Sequence, residues 1–132
     1  MSVDPVLVSA LVIGSRKTGT TWLNENFKLS SIVTVPTGIK ETGFFLPDSI
    51  IEKSEYHSLF NINGFHKSIF VEVDTGLLDS DGSPAKIKTY NPKMKIVAIR
   101  RDAHEFASSR FIQGKRKGLF KYGTLLEELN NN

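Results

Sequence analysis

The sequence predicts a three-layer α/β domain in which helices flank both faces of a mainly parallel β-sheet. Short apolar runs rich in β-branched residues alternate along the chain with segments of helical pattern, as in other parallel sheets. The first run, residues 6–13, is apolar almost throughout, which is typical of a strand covered on both faces. With 132 residues, the chain fits one domain over residues 1–132.

Four such runs predict the strands of the sheet. They cover residues 6–13, 31–35, 69–73 and 95–99. Because ligands of parallel sheets bind beyond the carboxyl ends of the strands, we expect the functional residues just after each run.

The segments between the runs predict the helices. These cover residues 21–29, 47–60, 83–90, 102 to about 113, and 124–129. Asp48, Ser83 and Asp102 are expected near helix starts, where acids and hydroxyls meet unpaired N–H groups. Residues 114–118 are expected to form a loop, and residues 130–132 a disordered tail.

Composition excludes several kinds of site. The sequence contains no cysteine, which rules out disulfides and thiolate metal ligands. His57, expected on a surface helix, and the other histidines, His66 and His104, lack companions at metal-ligand spacing, so no metal site is predicted. The first apolar run is too short to cross a bilayer and lacks the flanks of a signal peptide. We therefore expect a soluble cytoplasmic protein without a membrane span.

Positive charge is concentrated in the last third of the chain. Residues 86–121 contain eleven Lys and Arg against two Asp and Glu, a net charge of +9, whereas the whole chain carries +3. Such a segment attracts anions, and a solvated basic face without a ligand is the alternative. The segment lacks the interleaved aromatic residues and the modules of nucleic-acid-binding proteins, so no nucleic-acid partner is expected.

A glycine-containing loop, residues 14–21, follows the first apolar run directly. Its two glycines have the GxxxxG frame of a phosphate-binding P-loop, and Thr21 occupies the Ser/Thr position of that motif. The residue after the second glycine is Thr20, and the lysine lies inside the loop at Lys17. The frame predicts a P-loop-like domain whose backbone N–H groups surround a phosphate, but not an ordinary ATPase or GTPase. A Ser/Thr-rich turn that only caps a helix is the alternative.

Residues 16–23, RKTGTTWL, resemble the 5′-phosphosulfate loop of sulfotransferases, which use adenosine 3′-phosphate 5′-phosphosulfate (PAPS) as donor. The resemblance implies that Lys17 contacts the phosphosulfate and supports charge on the bridging oxygen as the S–O bond breaks. The other positions implied to bind the cofactor are Arg16, Thr18, Gly19, Thr20, Thr21 and Trp22.

A second stretch, residues 95–111, resembles the 3′-phosphate motif of the same family. That motif places an arginine after a central strand and a serine eight residues later, and Arg101 and Ser109 have this spacing. An arginine there can direct two N–H donors at one phosphate. Arg100 and Ser108 have the same spacing, so the alternative register stays open.

Between these motifs, residues 39–45 resemble the KExxFF stretch of the carbohydrate-modifying branch of the family. The resemblance implies that Glu41 is the general base that takes a proton from the acceptor, with Lys40 near the transferring group. An exposed Lys40–Glu41 pair on a loop is the alternative. Residues 72–75 resemble a weaker family element, which core packing explains equally well.

Together the motifs imply a PAPS-dependent sulfotransferase that needs no metal and releases adenosine 3′,5′-bisphosphate. Its partner is a small-molecule or carbohydrate acceptor. Family members are usually longer toward the C-terminus, so a catalytically silent domain that binds the bisphosphate is a second hypothesis. A P-loop kinase-like phosphotransferase is a third. The displaced lysine and the lack of a clear Mg²⁺-binding carboxylate after an apolar strand disfavour it, although Asp74 stays open as such a ligand. A homodimer is one way for a short domain to complete its acceptor site.

Overall fold

The computed structural model of the chain describes residues 6–62, 69–119, 124 and 126–127. The chain divides into two compact units, one ending at Ile99 and one beginning at Arg100. His66, the predicted tail at residues 130–132 and most of the helix predicted at 124–129 lie outside the described residues. The assignment of the whole chain to one domain stays a prediction.

The first unit contains a four-stranded sheet whose neighbouring strands all pair in parallel. The strands are β1 (Val8–Val12), β2 (Val33–Thr34), β3 (Ile69–Val73) and β4 (Lys95–Val97), in the order β2-β3-β1-β4. All four predicted strands are present, and the predicted α/β fold class is confirmed. The strand that precedes the glycine loop is therefore central, with β3 on one side and β4 on the other.

Helices flank this sheet or follow it along the chain. They are α1 (Thr20–Lys28), α2 (Lys53–Ser58), α3 (Ser83–Tyr90) and α4 (Ala103–Arg116), and a short 3₁₀ helix covers Thr75–Asp79. In α4 the expected cap is confirmed, because the Asp102 side chain accepts hydrogen bonds from the N–H groups of His104 and Glu105. No helix in the described part of the chain is long and apolar enough to cross a membrane.

The bounds of the helix predicted over residues 83–90 are confirmed, but three details of the predicted helix ends are wrong. Only α2 is helical within residues 47–60, and its N-cap is Glu52, so Asp48 does not lie at a helix start. The N-cap of α3 is Gly82, while Ser83 lies one position inside the helix. Helix α4 runs on to Arg116 through the predicted loop at residue 114, because basic residues suit a last helical turn.

The core of the first unit lies on both faces of the sheet. Successive strand residues point to opposite faces, so Leu11 joins one cluster while Val12 joins the other. An irregularity between Val8 and Ala10 shifts this alternation, so Val8 lies on the same face as Leu11. The first cluster is aromatic and includes the side chains Phe44, Phe45, Tyr56, Phe60 and Phe70. The second packs the valines of β1 and β3 against Leu23 and Phe27 of α1. Burial of each large apolar side chain contributes about 1.5–3 kcal/mol.

His57 is part of this interior and is only 5% exposed, so its expected surface position is wrong. Its Nε2 atom lies 2.7 Å from the Tyr90 hydroxyl, which also accepts the Val8 N–H at 3.0 Å. The histidine therefore links α2 to α3 and, through Tyr90, to β1.

Candidate active site

The glycine loop after β1 is anchored to the end of β4. The N–H of Ile13 donates to the Val97 carbonyl (2.8 Å), and the N–H of Ser15 donates to the Ile99 carbonyl (3.3 Å). Gly14 lies so close to this strand that an added Cβ atom would be 3.0 Å from Ile99 Cβ and 3.2 Å from its carbonyl oxygen. A side chain at the first glycine of the loop would therefore force its neighbours to move by a few tenths of an ångström.

The rest of the loop turns into α1 through two left-handed residues, Lys17 (φ 66°) and Gly19 (φ 86°). The Thr18 hydroxyl closes the turn by donating to the Ser15 carbonyl at 2.7 Å. Gly19 is the N-cap of α1, and its carbonyl accepts the N–H of Leu23. The first N–H groups of a helix lack intrahelical partners, so this start of α1 suits an anion.

The side chains that the sequence assigns to the loop have different surroundings. Arg16, Lys17 and Thr21 are exposed, and the Trp22 side chain is exposed to 70%. Thr20 is buried at the start of α1. Cationic, hydroxyl and backbone N–H groups are thus gathered in one short segment, and such donors are the ones that bind phosphate or sulfate oxygens.

Lys40 connects this loop to the candidate base. Its Nζ atom lies 3.2 Å from Thr20 Oγ1, 3.3 Å from Thr21 Oγ1 and 3.3 Å from Glu41 Oε1. The sequence separates Lys40 from the two threonines by about twenty residues, but β2 and β1 end at the same edge of the parallel sheet. The fold therefore brings together two of the predicted motifs.

Glu41 is also held by Thr75, the first residue of the 3₁₀ helix after β3. Its Oε1 atom accepts the Thr75 hydroxyl at 2.6 Å and the Thr75 N–H at 3.4 Å. Burial would raise the pKa of this carboxyl, but the hydrogen bonds from Thr75 and the charge of Lys40 outweigh burial and hold the pKa below its usual range. Glu41 is consequently ionised at neutral pH, which is the state that a general base needs.

Two buried carboxyl groups, Glu72 in β3 and Asp74 directly after it, support the loop that carries Glu41. Glu72 Oε1 accepts the N–H and hydroxyl of Thr42 at 2.9 and 2.6 Å, and its Oε2 accepts the Tyr56 hydroxyl at 2.6 Å. Asp74 Oδ2 accepts the N–H of Gly43 at 3.2 Å. Burial raises the pKa of both carboxyl groups. The sequence placed Glu72 and Asp74 only in a weak family element that core packing explains equally well, and it did not predict their support of the Glu41 loop.

The two phenylalanines of the KExxFF-like stretch belong to the core. Phe44 and Phe45 are 6% and 0% exposed, and the Phe44 ring stacks on Tyr56 with centroids 4.0 Å apart. Phe44 and Phe45 therefore attach the segment just after Thr42 to the aromatic cluster. The motif thus combines a polar half at the site with an apolar half that anchors it.

Arg101 and Ser109 belong to the second unit. Arg101 precedes the N-cap of α4, and its Nε donates to Glu105 Oε2 at 3.1 Å. Ser109 is half-buried within α4. In the alternative register, Arg100 is exposed and Ser108 is half-buried. The assignment of the 3′-phosphate ligands therefore stays a prediction.

Among the described residues, no group of three or more His, Cys, Asp and Glu side chains is arranged to hold a metal ion. The carboxyl groups of Glu41 and Asp74 accept hydrogen bonds from Thr75, Gly43 and Gly76.

Comparison with known proteins places these features in a family. A family model described as "Sulfotransferase domain" matches residues 8–131. The crystal structure of a sulfotransferase from Alicyclobacillus acidocaldarius superimposes with a TM-score of 0.73 at 18% sequence identity, a likeness of fold. The match covers 92% of this chain and 55% of that one, so the chain spans just over half the length of this relative. No curated protein matches the chain.

Proposed function

Because the chain belongs to the sulfotransferase family, we propose that it transfers a sulfuryl group from PAPS to a hydroxyl or amine of an acceptor. One observation carries the proposal. The amine of Lys40 lies within 3.3 Å of both Thr21 of the glycine loop and the carboxylate of Glu41. A cation between an anion-binding loop and a carboxylate base is the arrangement that in-line transfer between two oxygens requires.

The residues of the loop fit the phosphosulfate group of the donor. Lys17 and Lys40 supply positive charge, the hydroxyls of Thr20 and Thr21 supply donors, and the start of α1 supplies backbone N–H groups. Arg16, Thr18, Gly19 and Trp22 complete the proposed cofactor-binding segment. Arg101 and Ser109 are proposed to bind the 3′-phosphate that distinguishes PAPS from ATP.

When bound, PAPS supplies an activated sulfuryl group that leaves behind adenosine 3′,5′-bisphosphate. Glu41 takes the proton from the acceptor hydroxyl or amine as the new bond to sulfur forms. Lys17 and Lys40 stabilise the negative charge that develops on the leaving and transferring groups. Each proton and each bond is thereby accounted for without a metal ion.

A carbohydrate is the acceptor class we favour. The support is the KExxFF-like stretch, whose charged half, Lys40 and Glu41, lies at the glycine loop while its Phe44 and Phe45 lie in the core. Glu41 could also take a proton from another small molecule with a hydroxyl group. An acceptor screen therefore needs both carbohydrates and other small alcohols.

Calorimetric titration with adenosine 3′,5′-bisphosphate tests the cofactor assignment. We expect wild-type protein to bind this nucleotide more tightly than ATP with Mg²⁺, and Lys17→Ala to lose about tenfold or more in affinity. Lys28→Ala is the matched control, because Lys28 lies at the far end of α1 and pairs with Glu25.

Transfer from PAPS to a panel of saccharides and small alcohols tests the reaction itself. Product formation that is lost in Glu41→Gln supports an active enzyme with Glu41 as base. Nucleotide binding without transfer to any acceptor would support the catalytically silent domain. Equal binding of ATP, with no dependence on the 3′-phosphate, would contradict the sulfotransferase proposal.

A further inference from the structure

The contact between Glu41 and Thr75 joins two segments that follow different strands. Glu41 lies in the loop after β2, and Thr75 begins the turn after β3. A contact of 2.6 Å between two loop residues requires that both backbones be fixed. The residue between β3 and this turn is Asp74, which is only 3% exposed.

Asp74 is bonded to both of these segments at once. Its Oδ2 accepts the N–H of Gly43, two residues after Glu41, at 3.2 Å. Its Oδ1 accepts the N–H of Gly76, the residue after Thr75, at 2.9 Å. Its own backbone N–H donates to the Val12 carbonyl at 3.0 Å, which ties it to the central strand. One carboxyl group therefore fixes both partners of the Glu41–Thr75 contact relative to β1.

The loop needs such support because its backbone is unfavourable. Glu41 has φ 61° and Gly43 has φ 71°, both in the left-handed region. For a residue with a Cβ atom this conformation costs about 1–2 kcal/mol, and it persists only where surrounding contacts hold it. The Gly43–Asp74 hydrogen bond is one of those contacts, and the Thr42–Glu72 pair is another.

We propose that Asp74 is a positioning residue for Glu41, which it serves by holding Gly43 and Gly76 so that the Glu41 carboxylate meets Thr75. This inference rests on the proposed function of Glu41 as base. In the described part of the chain, the hydrogen bonds of the Asp74 carboxylate go to backbone N–H groups and not to a group that reacts. Its role is to set the position and the hydrogen bonding of the Glu41 carboxylate, which is the reacting group.

Two amide substitutions on the same strand end test the inference. In Asp74→Asn, the amide oxygen can accept from only one of Gly43 and Gly76, and the NH₂ group faces the other N–H. In Glu72→Gln, the oxygen still accepts from Thr42 and the NH₂ group donates to the Tyr56 hydroxyl. We therefore expect the first to lower kcat for sulfuryl transfer about 10- to 100-fold and the second to leave it within about threefold.

The pKa of Glu41, followed by NMR of its carboxyl carbon and assigned with Glu41→Gln, provides a readout independent of activity. In Asp74→Asn, loss of the Thr75 hydrogen bond raises this pKa, whereas loss of a neighbouring negative charge alone would lower it. A rise supports the positioning role. A fall, or an unchanged pKa, overturns it. If wild type shows no transfer from PAPS, the proposed function fails while this measurement still decides the inference.

A double-mutant cycle separates positioning from general stability. If Asp74 acts through the Glu41–Thr75 contact, Asp74→Asn no longer raises the Glu41 pKa in a Thr75→Val background, where only the loss of the neighbouring negative charge remains and lowers it. A rise of equal size in both backgrounds would overturn the inference. Melting temperatures are compared throughout, and if Asp74→Asn does not fold, Asp74→Ser, whose hydroxyl oxygen is shorter in reach, replaces it in the same cycle.

Discussion

The Thr75 hydroxyl donates a 2.6 Å hydrogen bond to Glu41 Oε1 and thereby joins the end of β3 to the loop after β2. Lys40 approaches the same oxygen at 3.3 Å. The carboxylate therefore has one neutral and one charged donor. Both favour its ionised form, and this arrangement sets the pH range in which Glu41 can act as a base.

Replacing Thr75 with valine should raise the pKa of Glu41, because the hydroxyl stabilises the charged form. A base works only when ionised, so activity declines as pH falls through this pKa. In Thr75→Val the decline should begin at a higher pH than in wild type. The pH dependence of kcat/KM for sulfuryl transfer measures it. Thr75→Ser keeps the hydroxyl and should retain the wild-type profile; an acidic limb that does not move in Thr75→Val would refute the role of this bond.

Replacing Lys40 with methionine removes the charge between Thr20, Thr21 and Glu41 while keeping most of the side-chain volume. We expect kcat to fall about 10²- to 10³-fold, as for other losses of a group that stabilises transition-state charge. Single-turnover kinetics with saturating PAPS measure the chemical step. Lys28→Met is the control, and a loss that is equal in both variants would show that only overall charge matters.

Replacing Phe45 with alanine should destabilise the first unit by about 3–5 kcal/mol, because a fully buried aromatic side chain is lost from the core. The centroid of its ring lies 5.2 Å from that of Tyr90 and 4.9 Å from that of Phe44. Ile50→Ala, at a side chain 93% exposed, should change stability by less than about 0.5 kcal/mol. Urea denaturation of both variants measures the difference, and similar midpoints would contradict the anchoring role of the motif.

Replacing Arg101 with alanine should weaken binding of adenosine 3′,5′-bisphosphate about tenfold or more, while Arg100→Ala should have a small effect. The loss should vanish for adenosine 5′-phosphate, which lacks the 3′-phosphate. Calorimetry with both nucleotides measures these affinities. The opposite ranking of the two variants would favour the alternative register, with Ser108 in place of Ser109.

Replacing Glu105, which pairs with Arg101, should also change the affinity for the bisphosphate. Arg101 pairs with Glu105 through partly exposed side chains, a contact of small energy that competes with a phosphate. Glu105→Gln should therefore raise the affinity for the bisphosphate by up to about fivefold. An affinity that is lower than that of wild type would mean that Glu105 orients the arginine rather than competing for it.

The strands and the glycine loop were predictable because their signals are local. Residues 6–13 form an apolar run of strand length that is rich in β-branched residues and is followed by a glycine, and the loop at residues 14–21 carries its glycines at fixed positions. Helix boundaries were less predictable. Residues 47–52 precede α2 without being helical, and nothing in their composition distinguishes a helix from a chain of turns around Pro47.

The partners of Glu41 were not predictable, since they depend on which strands are neighbours. Lys40 and Glu41 follow β2, whereas Asp74 and Thr75 follow β3, about thirty residues later along the chain. Only the order β2-β3-β1-β4 shows that these ends lie side by side with the glycine loop. The burial of His57 likewise depends on Tyr90, a residue in a different helix.

The central place of β1 also has a consequence for protein synthesis. Its partners lie far along the chain, because Val8 pairs with Phe70 and Ala10 with Lys95. At about 5–20 residues per second, a ribosome that has made β1 needs roughly 3–12 s to make β3. During that interval the apolar strand that will carry the glycine loop has no partner within its own sheet. Nascent chains of this protein should therefore depend on chaperones until β3 has emerged.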